Sequence, residues 1–191
     1  THMETFFNPL SVAIVGATEK PGSLPGIILK NLLSMGFKGK MYPVNPKYET
    51  VFGLNCFPSI LDIPDEVALT VIAIPAPWVL DVLQQQAHKR IHHAIIISAG
   101  FREKGAEGIE MEERIRRVAI ENDMRILGPN CLGVLDNYTN FTTSFLSWER
   151  VSIPKKGSLS ILSQSGAFAI ALLDLAAQEG LGIAKMINYG N

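Results

Sequence analysis

The sequence predicts an α/β fold built on an open parallel sheet with crossover helices. Short apolar runs alternate with longer amphipathic stretches along most of the chain, which is the pattern of strands joined by helices. Most apolar runs end in Gly, Pro, Asn or Ser, the residues of tight connections. Hydrophobic residues make up 47% of the 191 and charged residues 18%. That composition supplies a buried core and is too apolar for a disordered chain.

The first strand is expected over residues 11–15, followed by a turn from Gly16 to Gly22. Ser23 is placed to cap the next helix, and Pro25 suits a first turn, where its missing N–H removes nothing. This helix runs to about Met35 and closes at Gly36. A second strand over 40–44 stops at Asn45-Pro46. A third over 69–74 ends at Pro75-Ala76-Pro77, and a helix follows over about 79–89. A fourth strand over 94–97 runs into Ser98-Ala99-Gly100-Phe101. The helix over about 107–121 has Glu107, Glu110, Glu112 and Glu113 early and Arg114, Arg116 and Arg117 later, an order that suits the helix dipole. A fifth strand over 125–127 leads to Gly128-Pro129-Asn130-Cys131.

These elements define a first domain over residues 4–131. Residues 132–157 are less regular, carry a turn signal at Pro154-Lys155-Lys156-Gly157, and read as a connecting segment. A second unit occupies 158–191: a strand over 158–162, the turn Ser163-Gln164-Ser165-Gly166, a helix over 167–178 and a strand over 183–187. Two strands and one helix cannot cover a sheet on both faces. The second unit is therefore expected to be the N-terminal, truncated part of a larger domain, with an exposed edge at the final strand that invites a partner chain.

Composition excludes several classes. A formal charge of −1 leaves no basic footprint for nucleic acid, and no apolar run is long enough for a membrane span. Thr1-His2-Met3 reads as an expression remnant, and no export signal is evident. Cys56 and Cys131 are expected to be reduced thiols in a cytoplasmic protein. His2, His88, His92 and His93 have no metal-ligand spacing, so no metal is predicted.

In an open parallel sheet, ligands bind beyond the carboxyl ends of the strands. Those ends here are Gly16-Ala17-Thr18-Glu19-Lys20-Pro21-Gly22-Ser23, Asn45-Pro46-Lys47, Pro75-Ala76-Pro77, Ser98-Ala99-Gly100 and Gly128-Pro129-Asn130-Cys131. Each mixes small residues, which let a ligand approach the backbone, with polar groups able to hold it. The first turn can cradle a pyrophosphate on backbone N–H groups, or simply join a strand to a helix. It lacks the G-x-G-x-x-G fingerprint, and Asn45-Pro46-Lys47 stands where that fingerprint needs an acidic residue. Lys47 suits a phosphate on the ribose, which counts against NAD and permits NADP or coenzyme A; it also reads as a solvated lysine. Pro75-Ala76-Pro77 is either a strand stop or a stiff shelf for an adenine. Cys131 is either a small buried hydrophobe or a group facing a ligand. The turn Ser163-Gln164-Ser165-Gly166 lacks the first glycine and the downstream histidine of a nucleophile elbow, so it is read as an anion site at a helix start.

Taken in order, Val12-Ala13-Ile14-Val15-Gly16-Ala17-Thr18, Tyr42-Pro43-Val44-Asn45-Pro46-Lys47, Ile72-Ala73-Ile74-Pro75-Ala76, Ile97-Ser98-Ala99-Gly100-Phe101, Gly128-Pro129-Asn130-Cys131-Leu132-Gly133 and Ser163-Gln164-Ser165-Gly166-Ala167 resemble the nucleoside-diphosphate (ADP)-forming acyl-CoA synthetases. These are relatives of the succinyl-CoA synthetase α subunit, and the resemblance runs from about Asn8 to Asn191. It implies a Rossmann-like coenzyme A-binding domain followed by the start of a flavodoxin-like α/β domain. By resemblance, Gly16, Ala17, Thr18, Lys20 and Ser23 lie by the phosphates, and Asn45 and Lys47 by the adenosine. Ile74, Pro75 and Ala76 line the nucleotide. Ser98, Ala99 and Gly100 follow the pantetheine, with Asn130 and Cys131 near the thiol. Ser163, Ser165 and Gly166 would stabilise a phosphohistidine.

The implied reaction converts acyl-CoA, ADP and phosphate to acid, CoA and ATP through an acyl phosphate and a phosphohistidine. That histidine lies beyond this chain in the family, and His88, His92 and His93 stand on the wrong segment to replace it. ADP or ATP, phosphate and Mg2+ are expected on an ATP-grasp domain or subunit that this chain lacks, within a homo- or hetero-oligomer. The family's succinate enzymes carry glutamate where Ala99 stands, so the resemblance is to the acetyl/acyl branch. Two rival readings are a CoA-sensing regulatory module of a larger protein, such as an acetyltransferase, and an NAD(P)-binding Rossmann protein.

Overall fold

The apolar run Ser11–Val15 forms strand β1, buried along its whole length. The computed structural model describes residues 3–146 and 153–191. Thr1 and His2 of the expected remnant, and part of the expected connection, lie outside the described residues. Helix α1 spans Leu24–Met35 and ends at Gly36, whose left-handed backbone (φ 72°) closes it as glycine does best. Strand β2, Lys40–Val44, lies parallel to β1. A hairpin follows, β3 (Thr50–Val51) against β4 (Leu54–Asn55). Both its turn residues, Phe52 and Gly53, have positive φ, the geometry that two-residue hairpins favour.

The sheet continues with β5 (Leu69–Ile72), β6 (His93–Ile96) and β7 (Arg125–Leu127), joined by helices α2 (Val79–Lys89) and α3 (Ala106–Glu121). Strand order is β2-β1-β5-β6-β7, and every pairing is parallel. The chain moves outward from β1 to β2, then returns to β5 on the other side of β1. The switch point therefore lies between β1 and β5, where ligands bind such sheets.

Side chains alternate across the sheet with period two. Ala13, Val15, Ile72, Ala94 and Ile96 face one layer with Val79 and Leu83 of α2 and Ile115 of α3. Val12, Ile14, Val71 and Ile95 face the other with Ile28, Leu29 and Leu32 of α1. One helix cannot cover that second face. Val134 and Phe141 complete it, and they come from the stretch expected to be an irregular connection.

That stretch holds β8 (Gly133–Asp136) and β9 (Phe141–Thr142). With β10 (Lys156–Ser163) and β11 (Ile183–Asn188) they form a second sheet of order β10-β11-β8-β9. Only β10 and β11 are parallel; β11–β8 and β8–β9 are antiparallel. The final strand is consequently interior, and β10 and β9 are the edges, contrary to expectation. Both short strands are buried throughout, so they show none of the apolar–polar alternation that marks a half-exposed strand. Helix α4 (Gly166–Gln178) covers this sheet through Ala169, Leu173 and Ala176, against Leu135, Ile183 and Met186.

The two sheets share a core and are also tied by polar groups. Asn31 of α1 is buried, and its amide donates to the carbonyls of Ser144 (3.0 Å) and Leu146 (2.8 Å). Asp136 is fully buried and pairs with Lys185 on the neighbouring strand. Its other oxygen accepts the amides of Tyr138 (2.8 Å) and Thr139 (3.3 Å), so the buried charge is both paired and hydrogen-bonded.

Candidate functional site

The carboxyl ends of β1, β2, β5 and β6 open into two clefts that share Ala73, Ile74 and Pro75. One, of about 640 Å3, is lined by Gly16, Asn45, Lys47, Ser59, Trp78 and Gln85 among others. The second, of about 620 Å3, runs past Ser98, Ala99, Asn130 and Cys131 to Gln164, Ser165 and Gly166 at the start of α4. Leu24, Pro25, Leu132 and Phe145 give it an apolar wall. Ala76 and Gly100 line a smaller hollow of about 380 Å3 that borders both clefts through Pro75 and Ala99.

Gly16 stands at the switch point with φ 95°. A methyl group there would lie 2.7 Å from the Ala73 carbonyl oxygen. Only glycine lets the ends of β1 and β5 approach this closely. The following turn is held from the side. Asn45 donates to the Ala17 carbonyl (2.9 Å) and accepts the Lys47 amide (3.0 Å). Thr18 accepts the Lys20 amide and donates to the Tyr48 hydroxyl, both at 3.2 Å. Glu19 accepts the Phe52 amide at 2.5 Å. Asn45 is thus engaged with backbone at both ends of its side chain, and it sets Lys47 relative to the turn.

Ala17, Thr18, Lys20 and Ser23 stand on this turn but line neither cleft. Ala17 is fully buried. Ser23 occupies the capping position of α1 without making the expected cap: its hydroxyl oxygen is buried and unpaired, and Pro25 lies within the first turn.

Ser98 is committed as well. Its hydroxyl donates to the Ile74 carbonyl (2.5 Å) and accepts the Ile74 amide (3.2 Å), so it fixes the crest between the clefts. Asn130 has a left-handed backbone (φ 57°), and its amide donates to the Ser98 carbonyl at 2.9 Å. Cys131 is 4% exposed, and its thiol faces the Ile96 carbonyl at 3.3 Å. Burial pushes this thiol up to about 12, so it stays neutral and belongs to the core, with one flank on the cleft wall.

The far end of the second cleft is the N-terminus of α4. Ser165 caps it, accepting the Phe168 amide at 3.3 Å. Ser163 is buried behind it and donates to the Ser165 carbonyl at 2.9 Å. A helix start with its dipole aimed into a cleft favours an anion. His88 stands in the last turn of α2, His92 bonds the Asp123 carbonyl, and His93 begins β6, so all three lie at the amino ends of the strands, away from the clefts. Among the described residues no group of three or more His, Cys, Asp or Glu could hold a metal ion, and no helix is long and apolar enough to cross a membrane.

Three residues of the region escaped the sequence reading. Asn188 lines the second cleft and bonds the turn at 163–164. Glu103 accepts the amides of Gly100 (2.5 Å) and Phe101 (3.1 Å) and the side-chain amide of Asn191 (2.8 Å). Trp78 stands at the mouth of the first cleft, and a tryptophan directly after Pro75-Ala76-Pro77 was a legible signal.

Residues 10–137 match the family described as CoA binding domain, and residues 156–191 match the succinyl-CoA ligase like flavodoxin domain. The chain is 42% identical to an ADP-forming acetate–CoA ligase of Methanocaldococcus jannaschii, over 96% of this chain and 25% of that protein. It is 39% identical to an ADP-forming 4-hydroxybutyrate–CoA ligase of Nitrosopumilus maritimus, over 96% of this chain and 26% of the relative. Its structure superposes on the dinucleotide-forming acetyl-coenzyme A synthetase 1 of Ca. Korarchaeum cryptofilum, solved with phosphate and ADP, with a TM-score of 0.90 at 38% identity. That match covers 98% of this chain and 39% of the other. The chain thus spans about a quarter of the length of these two ligases.

Proposed function

The chain belongs to the CoA binding domain family, in the form carried by ADP-forming acyl-CoA ligases, and on that premise we propose that it is the coenzyme A-binding portion of such an acid–thiol ligase. The observation that carries the reading is the pair of clefts meeting at Ile74-Pro75, with Lys47 at one end and the start of α4 at the other. Coenzyme A has that layout: a nucleotide with a ribose phosphate, then a narrow arm ending in a thiol. The nucleotide occupies the Lys47 cleft, and the arm crosses the crest that Ser98 fixes. The thiol then emerges near Asn130, facing the α4 N-terminus.

In this reading residues 4–131 bind coenzyme A, and residues 158–191, on the sheet that β8 and β9 complete, belong to the unit that receives phosphate. The α4 N-terminus, capped by Ser165, favours the anion of an acyl phosphate or of a phosphorylated histidine. The histidine and the ADP site belong to the rest of the ligase, on the same polypeptide or on a partner subunit with an ATP-grasp domain. Mg2+ would accompany ADP there; the described residues here offer no donor set for it. Cys131 takes no covalent part, because its thiol is buried and neutral. The ligase is proposed to work in the cytoplasm, on a small carboxylic acid.

Calorimetric titration of the chain with coenzyme A, dephospho-coenzyme A and NADH tests the proposal. Micromolar coenzyme A binding that weakens without the ribose phosphate is expected. Tight NADH binding without coenzyme A binding would overturn it in favour of a nicotinamide-dependent protein.

A further inference from the structure

We infer that Trp78 reads the adenine of the bound nucleotide by stacking on it at the mouth of the Lys47 cleft. This rests on the coenzyme A reading above and adds a specificity-determining residue to it. Trp78 is 61% exposed, although it is the largest apolar side chain on the cleft wall. Its position is set by the backbone. Pro75 and Pro77 flank the tight turn Ala76–Trp78, the Trp78 amide donates to the Pro75 carbonyl at 3.0 Å, and α2 starts at the next residue. Proline restricts the turn to few conformations, so the backbone holds Trp78 at the rim before any ligand arrives.

A flat apolar ring held in water at a cleft mouth gains by being covered with another flat ring. Every nucleobase has such a face. Trp78, Val82 and Gln85 all line this cleft, at the i, i+4, i+7 spacing of one helix face. The face therefore offers a stacking surface, an apolar floor and an amide able to pair with a base edge. Lys47 approaches from the other side. It follows β2, whereas Trp78 follows β5, and β1 lies between those strands. Between them stands Gly16, with no side chain to block the floor. The base and the ribose phosphate leave the sugar in different directions, so two separated readers match this ligand.

Trp78 and Trp148 are the two tryptophans of the sequence, so in a Trp148→Phe background the emission reports Trp78 alone. Coenzyme A and adenosine 3′,5′-bisphosphate should quench that emission, and pantetheine should not. Trp78→Ala should weaken both adenine ligands by about tenfold in calorimetry, the effect of losing one base stack. Trp78→Phe should recover most of that loss. Because Trp78 is exposed, Trp78→Ala and Trp78→Phe should each melt with the protein they are made in. Parent-like coenzyme A affinity in Trp78→Ala would overturn the stacking role and leave the coenzyme A reading intact. A parent that binds no coenzyme A would sink both. Quenching by pantetheine alone would place the thiol arm at Trp78 and reverse the assigned direction of the ligand.

Discussion

Asn188 Oδ1 accepts a 2.7 Å hydrogen bond from the Leu132 amide, across 56 residues of chain. The same side chain donates to the carbonyls of Ser163 (3.0 Å) and Gln164 (2.9 Å) and is 1% exposed. One amide thus joins the exit of the first sheet to the turn that starts α4. The spacing between Leu132 on the cleft wall and the α4 N-terminus is set there.

Replacing Asn188 with Ala leaves a buried N–H and two carbonyls without this partner. Each unsatisfied group costs about 1–3 kcal/mol, so a loss of about 3 kcal/mol in unfolding free energy is expected. Urea denaturation measures it. Asn188→Asp keeps the acceptor but sets a carboxylate oxygen against the two carbonyls, and should be at least as damaging. An unchanged midpoint in Asn188→Ala would show that the turn is held by other contacts.

Lys47→Ala should weaken coenzyme A by about 1–2 kcal/mol, the worth of one charge-assisted phosphate contact. Dephospho-coenzyme A should lose much less. Paired titrations with the two ligands decide it, and equal losses would mean that Lys47 does not face the ribose phosphate.

Burial alone would raise the Glu103 carboxyl, but hydrogen bonds from Asn191 and from the amides of Gly100 and Phe101 outweigh it and hold the group at about 2. The unfolded chain ionises near 4.5. The folded form is therefore favoured fully above pH 4.5, and that contribution is lost as pH falls from 4.5 towards 2. Glu103→Gln should flatten stability across that window. At neutral pH it should also speed hydrogen exchange at Gly100 and Phe101 several-fold, while the amides of β6 keep their protection.

Cys131 should resist an aromatic disulfide reagent at pH 7–9 in the folded protein and react only at the rate of unfolding. Its thiol ionises near 12 against 9.0 for the free group. The stability tied to its neutral form is present below pH 9 and is lost as pH rises from 9 towards 12. Cys131→Ser should leave coenzyme A affinity within about twofold, since no ligand bond is assigned to the sulfur. Rapid labelling of the folded protein at pH 8 would place the thiol in the open cleft instead.

Most of the first sheet was legible because its signals are local. The runs at 11–15, 40–44 and 125–127, and the helix over 79–89, appear where patterning placed them. Other boundaries moved by one or two residues. The β3–β4 hairpin was hidden because its turn pairs Gly53 with Phe52, not with the Asn or Asp that usually marks such a turn. Strands β8 and β9 were missed because they are short and buried on both faces. Among the candidate site residues, Gly16, Lys47, Ile74, Pro75, Ala99 and Asn130 do line the clefts. Ser98 and Asn45 also do so, but their polar atoms serve the backbone.

The sequence by itself determined the order of the elements and the chemistry gathered at the strand ends, because residue periodicity and turn composition act over a few positions. The tertiary structure alone decided which ends share a cleft, that Cys131 is buried, and that Asn188 locks the α4 turn to Leu132. Those outcomes depend on pairs far apart in the chain, whose partners no local pattern specifies. They are settled only when burial forces each polar group to find a partner and each apolar face to find cover.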